Sequence, residues 1–111
     1  MKLLDQIKNA PAAISFSEVI AEIDSLYEFT PTRFLNGSTV NEAGQNNGSC
    51  KVFFFAKLHD LTPIETLSLF GDYYRKDVLQ HPDGTDHQNI RNFMQSGWEG
   101  IKFESEALRL R

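Results

Sequence analysis

Ser49-Cys50-Lys51-Val52-Phe53-Phe54-Phe55-Ala56-Lys57-Leu58 is the stretch on which the reading of this 111-residue chain turns. Val52 to Phe55 has strand composition, because aromatic and β-branched side chains suit a pleated, half-buried surface. The flanks argue for a helix. Ser49 stands where a hydroxyl can satisfy the free N–H groups of a first helical turn. Val52, Phe55, Ala56 and His59 recur at three- and four-residue steps, so they share one helical face. Helix is the preferred reading of residues 50–58, with strand left open because so short a run satisfies both periods. Only a helix would aim a positive end at the chain in front of it.

That preceding chain, Asn41-Glu42-Ala43-Gly44-Gln45-Asn46-Asn47-Gly48-Ser49, is polar and glycine-bearing throughout, the mark of a loop. Before it, Arg33 to Val40 reads as extended chain around Asn36-Gly37, a pair suited to positive φ and so to a hairpin or to pairing with a distant strand. Phe29-Thr30-Pro31 breaks a helix that runs from about Phe16 to Tyr27. Ser15 and Glu18 open that helix with capping-box spacing, and Phe16, Val19, Ile20, Ile23, Leu26 and Tyr27 form its stripe. A short amphipathic segment, Leu3 to Ile7, precedes it and stops near Pro11.

Downstream, Thr62-Pro63 with Glu65 is a helix start. Ile64, Leu67, Gly71, Tyr74 and Val78 continue at helical steps, predicting one helix to about Gln80. Gly71 costs such a helix about 1 kcal/mol relative to alanine, which makes sense if another element crosses closely there. His81-Pro82-Asp83-Gly84 is a turn by residue type. Asp86 can cap a last helix bearing Ile90, Phe93 and Met94 and closed by Gly97. Trp98 to Phe103 reads as extended chain able to pair with Arg33–Val40. The expectation is an α+β, helix-dominated single domain over residues 1–111. It has four to five helices and a small antiparallel sheet of two or three short strands.

Composition bounds the function classes. A chain this long supports one core and not two, and nine Phe, three Tyr and one Trp supply its bulk. The formal charge is −4, with three basic and six acidic side chains in residues 1–50 and eight and nine in the remainder. No basic cluster can neutralise a phosphate backbone, which excludes a nucleic-acid partner. The apolar run Val52 to Ala56 is too short to span a bilayer, so no membrane role is expected. Cys50 is the sole cysteine, and Met1-Lys2-Leu3-Leu4-Asp5 lacks the apolar region of a secretory leader. A reducing, cytoplasmic compartment follows as the expectation.

Several blocks are shared in order with a known family: Phe29-Thr30-Pro31-Thr32-Arg33-Phe34, Asn36-Gly37, Asn41 to Ser49 with Lys51, and Leu69-Phe70-Gly71-Asp72-Tyr73-Tyr74-Arg75 with Asp77-Val78-Leu79. Asp86-His87, Asn89-Ile90-Arg91, Gly97-Trp98 and Gly100-Ile101 complete the pattern. From about Ile20 to Phe103 the chain resembles the HopJ family of type III effectors. The resemblance implies a bacterial, virulence-associated protein, secreted by a type III system after synthesis in the cytoplasm. It brings no reaction, cofactor or catalytic residues.

Four constellations carry chemistry. If Ser49 opens a helix, the Asn41–Lys51 loop with Asn46 forms an anion site of backbone N–H groups plus the Lys51 charge; the plainer reading is a tight connection whose asparagines serve their own turns. Tyr74, Arg75, His87 and Arg91 on neighbouring segments would hold a carboxylate or phosphate, or simply pair with Asp72, Asp77 and Asp86 as a solvated face. Cys50 in a first helical turn would be an activated thiol served by His59, His81 or His87, but a lone cysteine beside Val52 and Phe53 is more often a small buried hydrophobe. His81, Asp83, Asp86 and His87 suit a metal by type and match no ligand spacing. Phe53-Phe54-Phe55 is a partner patch if exposed and core otherwise. The leading expectation is a small binding domain for an anionic ligand or for a host or bacterial protein. No cofactor or metal is implied. The rivals are a small hydrolase-type enzyme using Cys50 or a histidine, and a housekeeping protein that is not secreted.

Overall fold

The structure, a computed structural model, describes residues 2–111. The first helix, α1 (Lys2–Asn9), buries Leu3 and Ile7 and leads into a 3₁₀ turn at Pro11–Ala13. Helix α2 (Phe16–Leu26) starts where the capping box predicts: Ser15 Oγ accepts from the Glu18 N–H at 3.3 Å. Strand β1 (Tyr27–Phe29) follows without a break. Strands β2 (Phe34–Asn36) and β3 (Thr39–Asn41) form a hairpin through Gly37, whose φ of 62° needs no side chain. Helix α3 (Asn47–Leu58) settles the ambiguous stretch as helix. Helix α4 (Pro63–Ser68) has a complete capping box, Thr62 with Glu65. A π-helical segment spans Tyr73–Val78. Helix α5 (Gln88–Ser96) ends at Gly97, and a 3₁₀ turn at Gly97–Gly100 leads to β4 (Ile101–Phe103) and β5 (Leu108–Leu110).

Two antiparallel sheets result. The larger has the order β3-β2-β4, with Leu35 opposite both Val40 and Lys102. The other pairs β1 with β5, Tyr27 opposite Leu110. One hydrophobic core joins them, and α3 runs through it. Val52, Phe53, Phe55 and Ala56 are fully buried. The Phe53 ring lies 4.9 Å from Phe93, 5.3 Å from Phe70 and 6.3 Å from Phe34, so it meets α5, α4's end and β2 at once. Phe54 is half-buried against Phe103. The triple phenylalanine is therefore core.

Four local expectations are corrected. The helix predicted from Thr62 to Gln80 is interrupted at Gly71, which has φ 61°. A Cβ there would sit 2.9 Å from the Phe16 backbone nitrogen and 3.2 Å from the Ile14 oxygen, so the crossing element is the start of α2 and the chain kinks to admit it. Ser49 lies within the first turn of α3 and is not its cap; Asn46 holds that position. Asp86 does not cap α5, because its carboxylate is held 2.7 Å from Arg91 Nη2 and His87 takes the cap position. Trp98 to Gly100 is 3₁₀, which turns the Trp98 indole N–H onto the Leu61 carbonyl at 2.9 Å.

Candidate functional site

Two helices begin in the same unusual way. Asn46 before α3 and His87 before α5 are both left-handed, at φ 52° and φ 50°. Neither side chain caps its own helix. Asn46 Nδ2 instead donates to Asn41 Oδ1 at 2.7 Å, and His87 Nε2 donates to Asp77 Oδ2 at 3.0 Å. The first N–H groups of each helix, which have no intrahelical acceptors, stay uncapped by side chains. The two ends meet at a cleft of about 420 Å³. Asn46, Gly48 and Ser49 line it from α3, and His87, Gln88 and Asn89 from α5. Phe16, Phe70 and Tyr73 supply an aromatic side. Gly48 makes that side possible, because a Cβ would lie 2.8 Å from the Phe16 ring.

Asparagines fix the two helix starts relative to each other. Asn89 Oδ1 accepts from Asn36 Nδ2 at 2.9 Å and Asn41 Nδ2 at 3.1 Å, and Asn89 Nδ2 donates to Asn41 Oδ1 at 3.0 Å. Asn36 Nδ2 also donates to the Asn89 carbonyl at 2.8 Å. Asn36, Asn41 and Asn89 are all buried. This network ties β2, β3 and the α5 start together, and Asn46 extends it to α3. Asn36 Oδ1 accepts no bond among the described residues.

Of the residues singled out from sequence, Asn46, Ser49 and His87 converge on the cleft, with Asn41 bonded to Asn46 beside it. The cations go elsewhere. Lys51 Nζ is 2.8 Å from Asp24 and lies over the Phe29 ring. Arg75 donates to the carbonyls of Ile14 (2.7 Å) and Pro11 (3.2 Å) and pairs with Asp72, which fastens the π-helical segment to the approach of α2. Tyr74 packs against the core. Arg91 donates to Asp86 and to the carbonyls of His81 and Asp86, so it clasps the turn before α5. That Arg91 bond holds the Asp86 carboxyl below its usual pKa.

Cys50 is 1% exposed, and burial pushes its thiol up to about 11. Such a thiol stays protonated at neutral pH, the reverse of an activated nucleophile. His59 Nε2 lies 2.9 Å from the Tyr27 hydroxyl at the far end of α3. His81 is exposed. Among the described residues no group of three or more His, Cys, Asp and Glu side chains is placed to hold a metal ion. No helix among them is long and apolar enough to cross a membrane.

Asn89, Gln88, Phe16 and Tyr73 also line the cleft and were not candidates from sequence. Phe16 reads as the first member of a core stripe, and Asn89 as an ordinary polar residue early in a helix. Phe16 and Tyr73 meet where the chain kinks at Gly71 against the start of α2, which periodicity does not reveal.

Comparison with known proteins agrees with this architecture. No curated protein matches the chain. A solved structure described as the crystal structure of unknown function protein VPA0580 is 51% identical. It superimposes with a TM-score of 0.97, over 99% of this chain and 92% of that one. The family model described as HopJ type III effector protein matches residues 1–108. With nearly every residue inside that match, the chain belongs to the HopJ type III effector protein family.

Proposed function

We propose that this protein is a small effector-type binding domain whose cleft between the starts of α3 and α5 takes an anionic group. One observation carries the reading: two helix N-termini, both without a side-chain cap, face the same cleft beside His87. Each helix end carries roughly half a positive charge, and free N–H groups at such ends hold anions. Lys51, Arg75 and Arg91 are already paired with carboxylates or carbonyls, so backbone donors would do most of the holding. The matching ligand is a compact anion, either free or carried on a host or bacterial protein.

Titrating inorganic phosphate into isotopically labelled protein tests this. The amides of residues 47–49 and 88–89 should shift together and saturate. Shifts scattered over the surface, with those amides unmoved, would remove the site.

A second reading, hydrolysis with His87 as base, has one observation in its favour: the Asp77 carboxylate orients the His87 ring at 3.0 Å on the edge of the cleft. Turnover of activated esters that disappears in His87→Gln would support it. Family membership further supports delivery by a type III system, for which translocation of a reporter fusion, dependent on the secretion apparatus, is the test.

A further inference from the structure

The cleft has a second chemical character that an anion alone leaves unused. Its wall is a continuous run of rings. Phe70 and Phe16 stack at 6.0 Å and 15°, Phe16 meets Tyr73 at 5.1 Å, and Tyr73 lies 5.0 Å from His87 at 31°. Tyr73 is 44% exposed, so core packing does not account for it. It also begins the π-helical segment, a rare geometry that recurs at functional sites. The same cleft is also lined by the polar residues Thr39, Asn46, Ser49 and Gln88. At about 420 Å³ the space falls within the ~300–1,000 Å³ of small-molecule sites. Flat ring faces favour flat partners, and with the nearby cations engaged elsewhere, charge would not supply the affinity by itself.

We infer that the ligand of this cleft joins a planar ring to an anionic group, the ring lying against Tyr73 and Phe16 and the anion at the helix starts. Two sources share this chemistry, nucleoside monophosphates and aromatic carboxylates. The inference rests on the anion reading above and adds the ring to it.

Calorimetric or amide-shift titrations with matched halves test it: a nucleoside monophosphate against inorganic phosphate, and phenylpropionate against propionate. At least one ring-bearing probe should bind about tenfold or more tighter than its anion alone, consistent with the contribution of one stacked ring. Which pair shows the gain identifies the source. Tyr73→Ala should abolish the gain, Tyr73→Phe should keep it, and anion binding should persist in both. Because Tyr73 is nearly half exposed, both variants should fold, as closely similar melting would verify. If phosphate shifts the helix-start amides but neither ring-bearing probe improves on its anion, the ring inference is overturned and the anion site stands. If no probe moves those amides, both fail.

Discussion

Gly71 shows how much can depend on one residue. Its φ of 61° disfavours any side chain, and a Cβ would press on backbone atoms of residues 14–16. A left-handed non-glycine residue costs about 1–2 kcal/mol, and overpacking against an unyielding backbone adds about 1–3 kcal/mol. Gly71→Ala should therefore lose roughly 2–5 kcal/mol in denaturant unfolding. A loss no larger than that of a surface substitution would mean the kink relaxes. The sequence already hinted at this close approach, since a glycine in a helical stripe is conspicuous. The cations were less legible. Lys51 finds its partner in Asp24, and Arg75 finds carbonyls of Pro11 and Ile14, more than sixty positions away. Composition counts charges but does not say which backbone oxygens the fold will bring to them. That is why Lys51 and Arg75, plausible ligand-binding residues in the sequence, serve as fasteners in the structure.

At the scale of elements, Asn89 holds the cleft's two helix starts in register. Replacing it with Leu would leave Asn36 Nδ2 and Asn41 Nδ2 without their side-chain acceptor inside the protein. An unsatisfied buried polar group costs about 1–3 kcal/mol, so Asn89→Leu should destabilise by about 3 kcal/mol and broaden the amide signals of residues 46–49. A stable variant with those signals unchanged would show that the network is dispensable.

At the opposite end of α3, Tyr27 and His59 link β1 to the helix C-terminus. Burial lowers the His59 pKa from its usual value, with nearby Asp60 opposing the shift. The unfolded chain therefore binds the proton more readily. This contribution to stability is present above about pH 6.5 and is lost as pH falls through the lower folded value. His59→Gln should flatten that part of the stability–pH curve; an unchanged slope would assign it to other groups. Side-chain caps made the starts of α2 and α4 readable to the residue, whereas α3 was favoured as a helix on a cap at Ser49 that the fold does not use, Asn46 standing there instead. The three-residue strands β1 and β5 were not, because so few residues carry no period and their pairing joins chain positions about eighty apart.

For the molecule as a whole, the question is whether the two sheets behave as one body. Leu108 on β5 is buried in the same core as Phe53 and Val19, and Arg111 N–H donates to the Leu26 carbonyl. Since α3 packs against β5 and also carries one side of the cleft, the C-terminal strand and the candidate site share a helix. The full chain should unfold in a single transition, with far- and near-ultraviolet signals coincident. Deleting residues 108–111 removes the β1–β5 pairing and the Leu108 side chain, for which about 3 kcal/mol is a reasonable loss. At this size that lowers Tm by roughly 10–20 °C while leaving one transition. Two resolved transitions, or an unchanged Tm, would show that the small sheet is an independent appendage. Binding gives a sharper discrimination. If the truncation acts only on the folded fraction, the amides of residues 47–49 and 88–89 should titrate with the same Kd at a temperature where the shortened chain is still folded. A weaker Kd there would mean that α3 transmits the loss of β5 along its length to the cleft, and that the core helix sets the geometry of the site.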